Sequence, residues 1–384
     1  MDFNALLKLM AHKNASDLFI TVDMPPTLKV DGKLAPIIPN ALTPEQVREV
    51  AYSVMSLEQR EEFERTRECN FAVSSPNMGR FRVNVFQQRN YIGMVARRIE
   101  SRIPSLDELG MPQVLKQVAM KKRGLIIFVG GTGTGKSSSL AAMIGYRNQN
   151  SSGHIITIED PIEFIHEHAG CIISQREVGV DTVSYEMALK NTLRQAPDVI
   201  LIGEIRSRET MEHAIAFAET GHLCLSTLHA TSANQALDRI VNFFSEDRRQ
   251  QLLLDLSLNL QAIIAQRLIP RRDGQGRQVA VEVLINSPVI ADLLLKGEIA
   301  TIKEVMRRSS DDGMKTFDQS IYEVYREDII SEADAIHYAD SANDVRLMIK
   351  RGKESNAVNL EETPFHPFDT STRLNPRDVE SKKQ

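Results

Sequence analysis

Near the start of the chain, apolar residues recur at helical spacing. Leu6, Leu7, Leu9 and Met10 put a stripe along Asn4 to Lys13, which predicts an amphipathic helix. The apolar run Leu18 to Val22 predicts a strand, and Asp31-Gly32 between Leu28–Val30 and Lys33–Ala35 predicts a hairpin. Thr43, Pro44 and Gln46 supply an N-cap, a first-turn proline and a capping-box partner for the next helix. The period then drops to two. Phe81, Val83 and Val85 alternate with Arg82 and Asn84, and Ile92, Met94 and Ala96 alternate with Val95 and Arg97, which predicts two more strands. Ser101 to Pro104 reads as a linker, and Ser105 with Glu108 predicts a capping box opening a helix to about Met120.

From Arg123 the pattern changes again. Solid apolar runs at Leu125–Val129, Ile155–Ile158, Val199–Ile202 and Leu223–Thr227, with a weaker one at Cys171–Ser174, alternate with helical stretches near Tyr185–Arg194, Glu209–Ala218 and Ala233–Asn242. Continuous apolar strands alternating with helices predict a parallel sheet covered on both faces. Leu252 to Leu268, with Leu256, Leu260, Ile263 and Ile264 on one stripe, is expected to be a helix in the core or at a subunit contact. A strand is expected at Val279–Ile285, and short helices from Pro288 to about Lys350. The expected units are residues 1–100, a linker at 101–111, an α/β domain at 112–351 and a disordered polar tail at 352–384. Phe365 and Phe368 stand in that tail as a bare tail or a docking motif. No internal repeat is visible.

Composition narrows the function. The 384 residues are 42% hydrophobic and 25% charged, with a formal net charge of -5. The basic groups Arg97-Arg98, Lys121-Lys122-Arg123, Arg271-Arg272 and Arg307-Arg308 are scattered rather than gathered on a face, so no nucleic-acid partner is expected. Three dispersed cysteines, Cys69, Cys171 and Cys224, give neither a disulfide framework nor a zinc module. No apolar run approaches the length of a transmembrane helix, so a cytoplasmic protein without a membrane-spanning segment is expected.

The chemistry starts at Gly130-Gly131-Thr132-Gly133-Thr134-Gly135-Lys136-Ser137, which fits the phosphate-binding loop G-x-x-x-x-G-K-[ST]. It stands between an apolar strand and a helix, as its chemistry requires. Its backbone N–H groups and the helix N-terminus are expected to cradle the phosphates of ATP. Lys136 then reaches the β- and γ-phosphates, and Ser137 ligates Mg²⁺. Val199 to Ile202 ends in Gly203-Glu204; glycine holds the usual aspartate place, so Glu204 is expected to hold Mg²⁺. Glu159, Asp160 and Glu163 follow the second strand. Glu163 is favoured as general base for the attacking water, with Glu159 and Asp160 in a metal or structural role, and a solvated acidic turn is the alternative. His222 and His229 bracket one short strand; beside the other motifs they become candidate sensors of the γ-phosphate. His166 and His168 are not expected to form a metal pair.

These four blocks, in this order, resemble the secretion ATPase superfamily that powers type II secretion and type IV pili. The likeness spans roughly residues 1 to 350 and includes Ala15-Ser16-Asp17-Leu18 and Gly79-Arg80-Phe81-Arg82-Val83-Asn84. It points to the PilT/PilU group of pilus retraction motors. It implies a PAS-like N-terminal domain, a RecA-like ATPase core, a homo-hexamer and peripheral docking at the inner membrane on a pilus platform protein. Glu163 matches the catalytic glutamate, Glu204 the Walker B acid, and His222 and His229 the histidine pair. Arg82 and Arg97 match arginines that approach nucleotide across a domain or subunit junction; their plainer reading is as exposed strand arginines. Principal retraction motors carry Ala-Ile-Arg-Asn-Leu-Ile-Arg-Glu where this chain has Val289-Ile290-Ala291-Asp292-Leu293-Leu294-Leu295-Lys296, without either arginine. That departure resembles the accessory motors, which assist the main retraction ATPase. The competing expectations are an assembly or type II secretion ATPase, and a nucleotide-binding regulatory subunit without turnover.

Overall fold

The computed structural model describes residues 2–361 except 31, 76–78, 100 and 101, with the backbone alone at 75, 311 and 354–361. Two sheets organise it. The first is built from α1 (Phe3–His12), β1 (Asp17–Ile20), β2 (Thr27–Val30), β3 (Lys33–Pro36), α2 (Pro44–Val54), α3 (Leu57–Thr66), β4 (Glu68–Ser75), β5 (Gly79–Gln88) and β6 (Tyr91–Arg98). Its six strands run β3-β2-β1-β6-β5-β4, antiparallel throughout. The alternation in β5 and β6 buries Phe81, Val83, Val85, Met94 and Ala96 on one face, against α1 and α2. The capping box at Thr43 forms as the sequence predicts.

The second sheet has seven strands. After α4 (Val114–Ala119) come β7 (Gly124–Val129), α5 (Lys136–Asn150), β8 (Gly153–Glu159), β9 (Cys171–Glu177), α6 (Tyr185–Thr192), β10 (Val199–Ile202), α7 (Arg208–Glu219), β11 (Leu223–Leu228), α8 (Ala233–Asn242), α9 (Glu246–Asn259), β12 (Leu260–Pro270) and β13 (Arg277–Ile285). Helices α10 (Pro288–Lys296), α11 (Ile299–Arg308), α12 (Phe317–Arg326), α13 (Glu332–Tyr338) and α14 (Ala342–Glu361) follow. The strand order is β13-β12-β7-β11-β10-β8-β9, and all but β13 run parallel to their neighbours. Central strands β7, β10 and β11 are buried at every position, as both-face coverage demands. This is the mixed α/β class read from the sequence.

Two expectations need correction. The helix expected over Leu252–Leu268 ends at Asn259, and Leu260 turns to φ -61, ψ 135 to begin β12. Ala262, Ile263, Ile264 and Ala265 are all 0% exposed because β7 pairs on one side and β13 on the other. A run buried all round shows no period, and only its β-branched pair favours a strand. The capping box at Ser105 does form, with Ser105 N–H donating to Glu108 and Glu108 N–H to Ser105 Oγ, but it opens a single turn. Gly110 at φ +67 ends that turn, Pro112 disfavours helix at Met111, and the helix starts afresh at Val114. In the polar stretch read as a tail from residue 352, α14 continues to Glu361. The remainder of that tail, with Phe365 and Phe368, lies outside the described residues, as does Asp31 of the hairpin turn.

Candidate nucleotide site

Parallel register is what assembles the site. Val129 pairs with Leu228 and Ile202 with Ser226, while Ile158 pairs with Ile202. The C-terminal ends of β7, β8, β10 and β11 therefore lie along one sheet edge. The segments that leave those ends are the phosphate loop, the acidic turn, Gly203-Glu204 and His229. In an open α/β sheet this edge is where ligands bind. Here it forms a cleft of about 580 Å³, lined among others by Lys136, Ser137, Glu163, Glu204 and His229.

The loop is shaped by its glycines. Gly133 and Gly135 stand at φ +75 and +90, the left-handed region, and Gly135 is the N-cap of α5. At Gly130 a Cβ would meet Thr134 Oγ1 and the carbonyl of Gln266. Thr134 Oγ1 donates to Gly131 O at 2.9 Å, and Lys136 Nζ donates to the carbonyls of Gly130 and Gly131 at 2.9 and 2.8 Å. The lysine is thus held at the cleft by groups that phosphate oxygens can replace. Burial lowers its pKa, and the nearby charges of Glu204 and Glu163 oppose that shift. Thr132 and Ser137 also line the cleft.

The three acids of interest differ in how they are held. Glu204 is engaged on both oxygens: His229 Nε2 lies 3.1 Å from Oε1, and Arg206 Nε donates to Oε2 at 2.7 Å. Arg206 also pairs with Asp160 at 3.7 Å. Glu159 is half-buried; it accepts from Thr157 Oγ1 at 2.6 Å and from Gln175 Nε2 at 3.3 Å, both on Oε1. Burial raises its pKa to about 7, against those two hydrogen bonds. Among the described residues no group donates a hydrogen bond to Glu163, which lines the same cleft. Its carboxylate is the one left free to meet a water.

Gly203 explains the missing aspartate. A Cβ there would lie 2.8 Å from Tyr185 Oη, 3.1 Å from Glu159 Cα and 3.2 Å from Ile158 O. The strand end packs against β8 too closely for a side chain, so the acid moves to position 204. Gly203→Ala is expected to lower stability by about 1–3 kcal/mol through overpacking. Urea unfolding checks it, and an unchanged midpoint would refute the close approach.

Not every residue marked in the sequence reaches the cleft. His222 sits at the N-terminal end of β11, six residues before the C-terminal edge, about 20 Å at strand rise. There its Nδ1 bonds Thr220 Oγ1 and Phe217 O, a structural role, and within this chain it does not meet the phosphate loop. Arg82 and Arg97 lie in the first sheet. Arg97 pairs with Asp17 at 2.7 Å, and Arg82 is near enough to Glu177 for its charge, with that of Arg80, to oppose the burial that raises that acid's pKa. Neither arginine lines the cleft. His166 is half-buried and does line the cleft; desolvation lowers its pKa to about 4, and His168 Nδ1 accepts from Ile173 N–H. Arg206 and Tyr185 line the cleft and were not assigned from sequence. Arg206 stands two residues after Glu204, a spacing that carries no motif by itself.

Mg²⁺ fits these donors only together with nucleotide. Among the described residues no group of three or more His, Cys, Asp or Glu could hold a metal ion alone. Mg²⁺ ordinarily takes one or two protein ligands plus phosphate oxygens and water, which suits Ser137 with Glu204 behind it.

The model of the family described as Type II/IV secretion system protein matches residues 2–356. The chain belongs to this family. Among its relatives in the family, it is 61% identical over 360 residues to the type IV pilus ATPase PilU of Pseudomonas aeruginosa, covering 94% of each chain. It is 40% identical over 335 residues to the retraction ATPase PilT of the same organism, covering 87% of this chain and 97% of the relative. A crystal structure of the pilus retraction motor PilT with bound ADP superposes with a TM-score of 0.84 at 38% identity, covering 90% of this chain and 99% of that one. With its phosphate loop and acids on one edge, this family member is a nucleotide-binding secretion ATPase related to the type IV pilus motors. Among the described residues no helix is long and apolar enough to cross a membrane.

Proposed function

We propose that the chain hydrolyses Mg-ATP as a hexameric ring motor of the type IV pilus machinery, and that it supports retraction as an accessory to the main retraction ATPase. One observation carries the ATPase part: the phosphate loop, a free Glu163 and the Glu204–His229 pair converge on one cleft. Backbone N–H groups and Lys136 hold the phosphates. Glu163 orients a water and takes its proton as the oxygen attacks the γ-phosphorus, while the bond to the β–γ bridging oxygen breaks. Ser137 and Glu204 would hold Mg²⁺, which would supply charge neutralisation on the phosphate oxygens. Arg82 and Arg97, remote from this chain's own cleft, would serve a neighbouring subunit's nucleotide or the closed arrangement of the two sheets.

The accessory part rests on the 61% identity to a PilU and on α10. Where principal motors carry two arginines, this helix has the half-buried Ala291 and the exposed Leu295, and it buries Ile290, Leu293 and Leu294. The ring would sit at the cytoplasmic face of the inner membrane and work on the pilus platform protein. Deleting this gene and the main motor's gene separately tests it by direct observation of pilus retraction. Retraction is expected to fail without the main motor. Normal retraction driven by this protein alone would overturn the accessory role.

A further inference from the structure

The loop from His229 to Ser232 joins the site to the far side of the domain. His229 touches Glu204 at the cleft. Two residues on, the carbonyl of Thr231 accepts from Arg267 Nη2 at 3.3 Å, and the N–H of Ala233 donates to Glu282 at 2.7 Å. Arg267 and Glu282 lie on the β12–β13 hairpin, where Ala265 pairs with Glu282. Arg267 does not line the nucleotide cleft.

The same guanidinium also holds the C-terminal helices. Arg267 Nη1 donates to Tyr338 O at 2.8 Å, Nη2 pairs with Asp340 at 2.5 Å, and the group stacks 3.9 Å from the centroid of Phe317. Asp340 is fixed in turn by Lys303 at 2.6 Å, and its N–H donates to the buried Asp318 at 2.8 Å. Asn234 at the start of α8 donates to Ile299 O of α11 at 3.0 Å. A planar group with donors on several edges suits this work better than an ammonium, because each contact fixes another. Arg267 is 22% exposed and Asp340 15%, so water competes weakly for the pair.

We propose that Arg267 is a positioning residue for hydrolysis: by clamping the Thr231 carbonyl to Asp340 and Tyr338, it sets His229 against Glu204 and ties that contact to the C-terminal helices. A partner that shifts α11 to α14 then alters turnover without entering the cleft. This inference rests on the site reading above, and its test is chosen to separate the two.

The test is a double-mutant cycle in kcat on the full-length protein, with thermal unfolding as a check on folding. Arg267→Gln is expected to lower kcat by about 10- to 100-fold, the scale of a small misplacement at a reacting centre, while KM for ATP changes little. In a His229→Ala background the same substitution should have almost no further effect, because the group it positions is gone. Arg267→Lys should restore only part of the loss. Asp340→Asn attacks the other end of the clamp, should behave like Arg267→Gln, and serves in its place if that variant does not fold. Losses that multiply in full in the double variant, or folded variants with wild-type kcat, would overturn the clamp. Wild-type kcat in His229→Ala alone would overturn the site reading instead.

Discussion

Lys136→Ala is expected to leave a folded protein with almost no phosphate release. Among the described residues Lys136 Nζ hydrogen-bonds only to the carbonyls of Gly130 and Gly131, so its removal takes little from the core. The loss falls on the transition state, where charge spreads over the γ-phosphoryl oxygens. Removing one preorganised donor of this kind costs about 10²–10³ in kcat, and here a full charge goes with it. Affinity for ATP should fall as well, because the lysine meets β- and γ-oxygens in the ground state. Steady-state phosphate release and nucleotide titration, with thermal unfolding as control, read all three effects. Turnover within a fewfold of wild type in a folded variant would mean that this loop is not where hydrolysis occurs.

What the sequence made legible follows from how each signal is encoded. β10 was bounded correctly at Val199–Ile202 because four fully buried apolar residues stand between Asp198 and the crowded Gly203. α8 was bounded correctly too, its buried Ala236, Leu237 and Ile240 at helical spacing. By contrast α3 passed unnoticed. Its sequence LEQREEFERT buries only Phe63, and the helix depends on the capping box at Ser56. β4 was missed although Cys69 and Phe71 are buried on alternate positions, since flanking polar residues dilute the pattern. The phosphate loop is a contiguous code and could be read whole. The partners of Glu204 could not, because His229 reaches it from the end of β11 through parallel register and Arg206 from two residues on, a spacing that carries no motif. His222 shows the converse: the sequence sets it and His229 at opposite ends of one strand, and within this chain only His229 meets Glu204 at the cleft among the described residues.

Glu163→Gln is expected to remove turnover while keeping ATP bound. The amide preserves the side chain's shape but cannot take a proton, so the loss is that of a general base, about 10²–10⁴ in kcat. KM should change little, since Glu163 is assigned to the water rather than to the phosphates. Glu159→Gln is the informative contrast. Glu159 already accepts bonds from Thr157 and Gln175, and burial raises its pKa to about 7, so near neutrality it carries a proton much of the time. With its Oε1 already held by two donors, its replacement should cost less than that of Glu163. If Glu159→Gln proved the more damaging in kcat, the roles would have to be exchanged: the half-buried acid at the end of β8 would be the base, and the free acid in the turn beyond it a bystander.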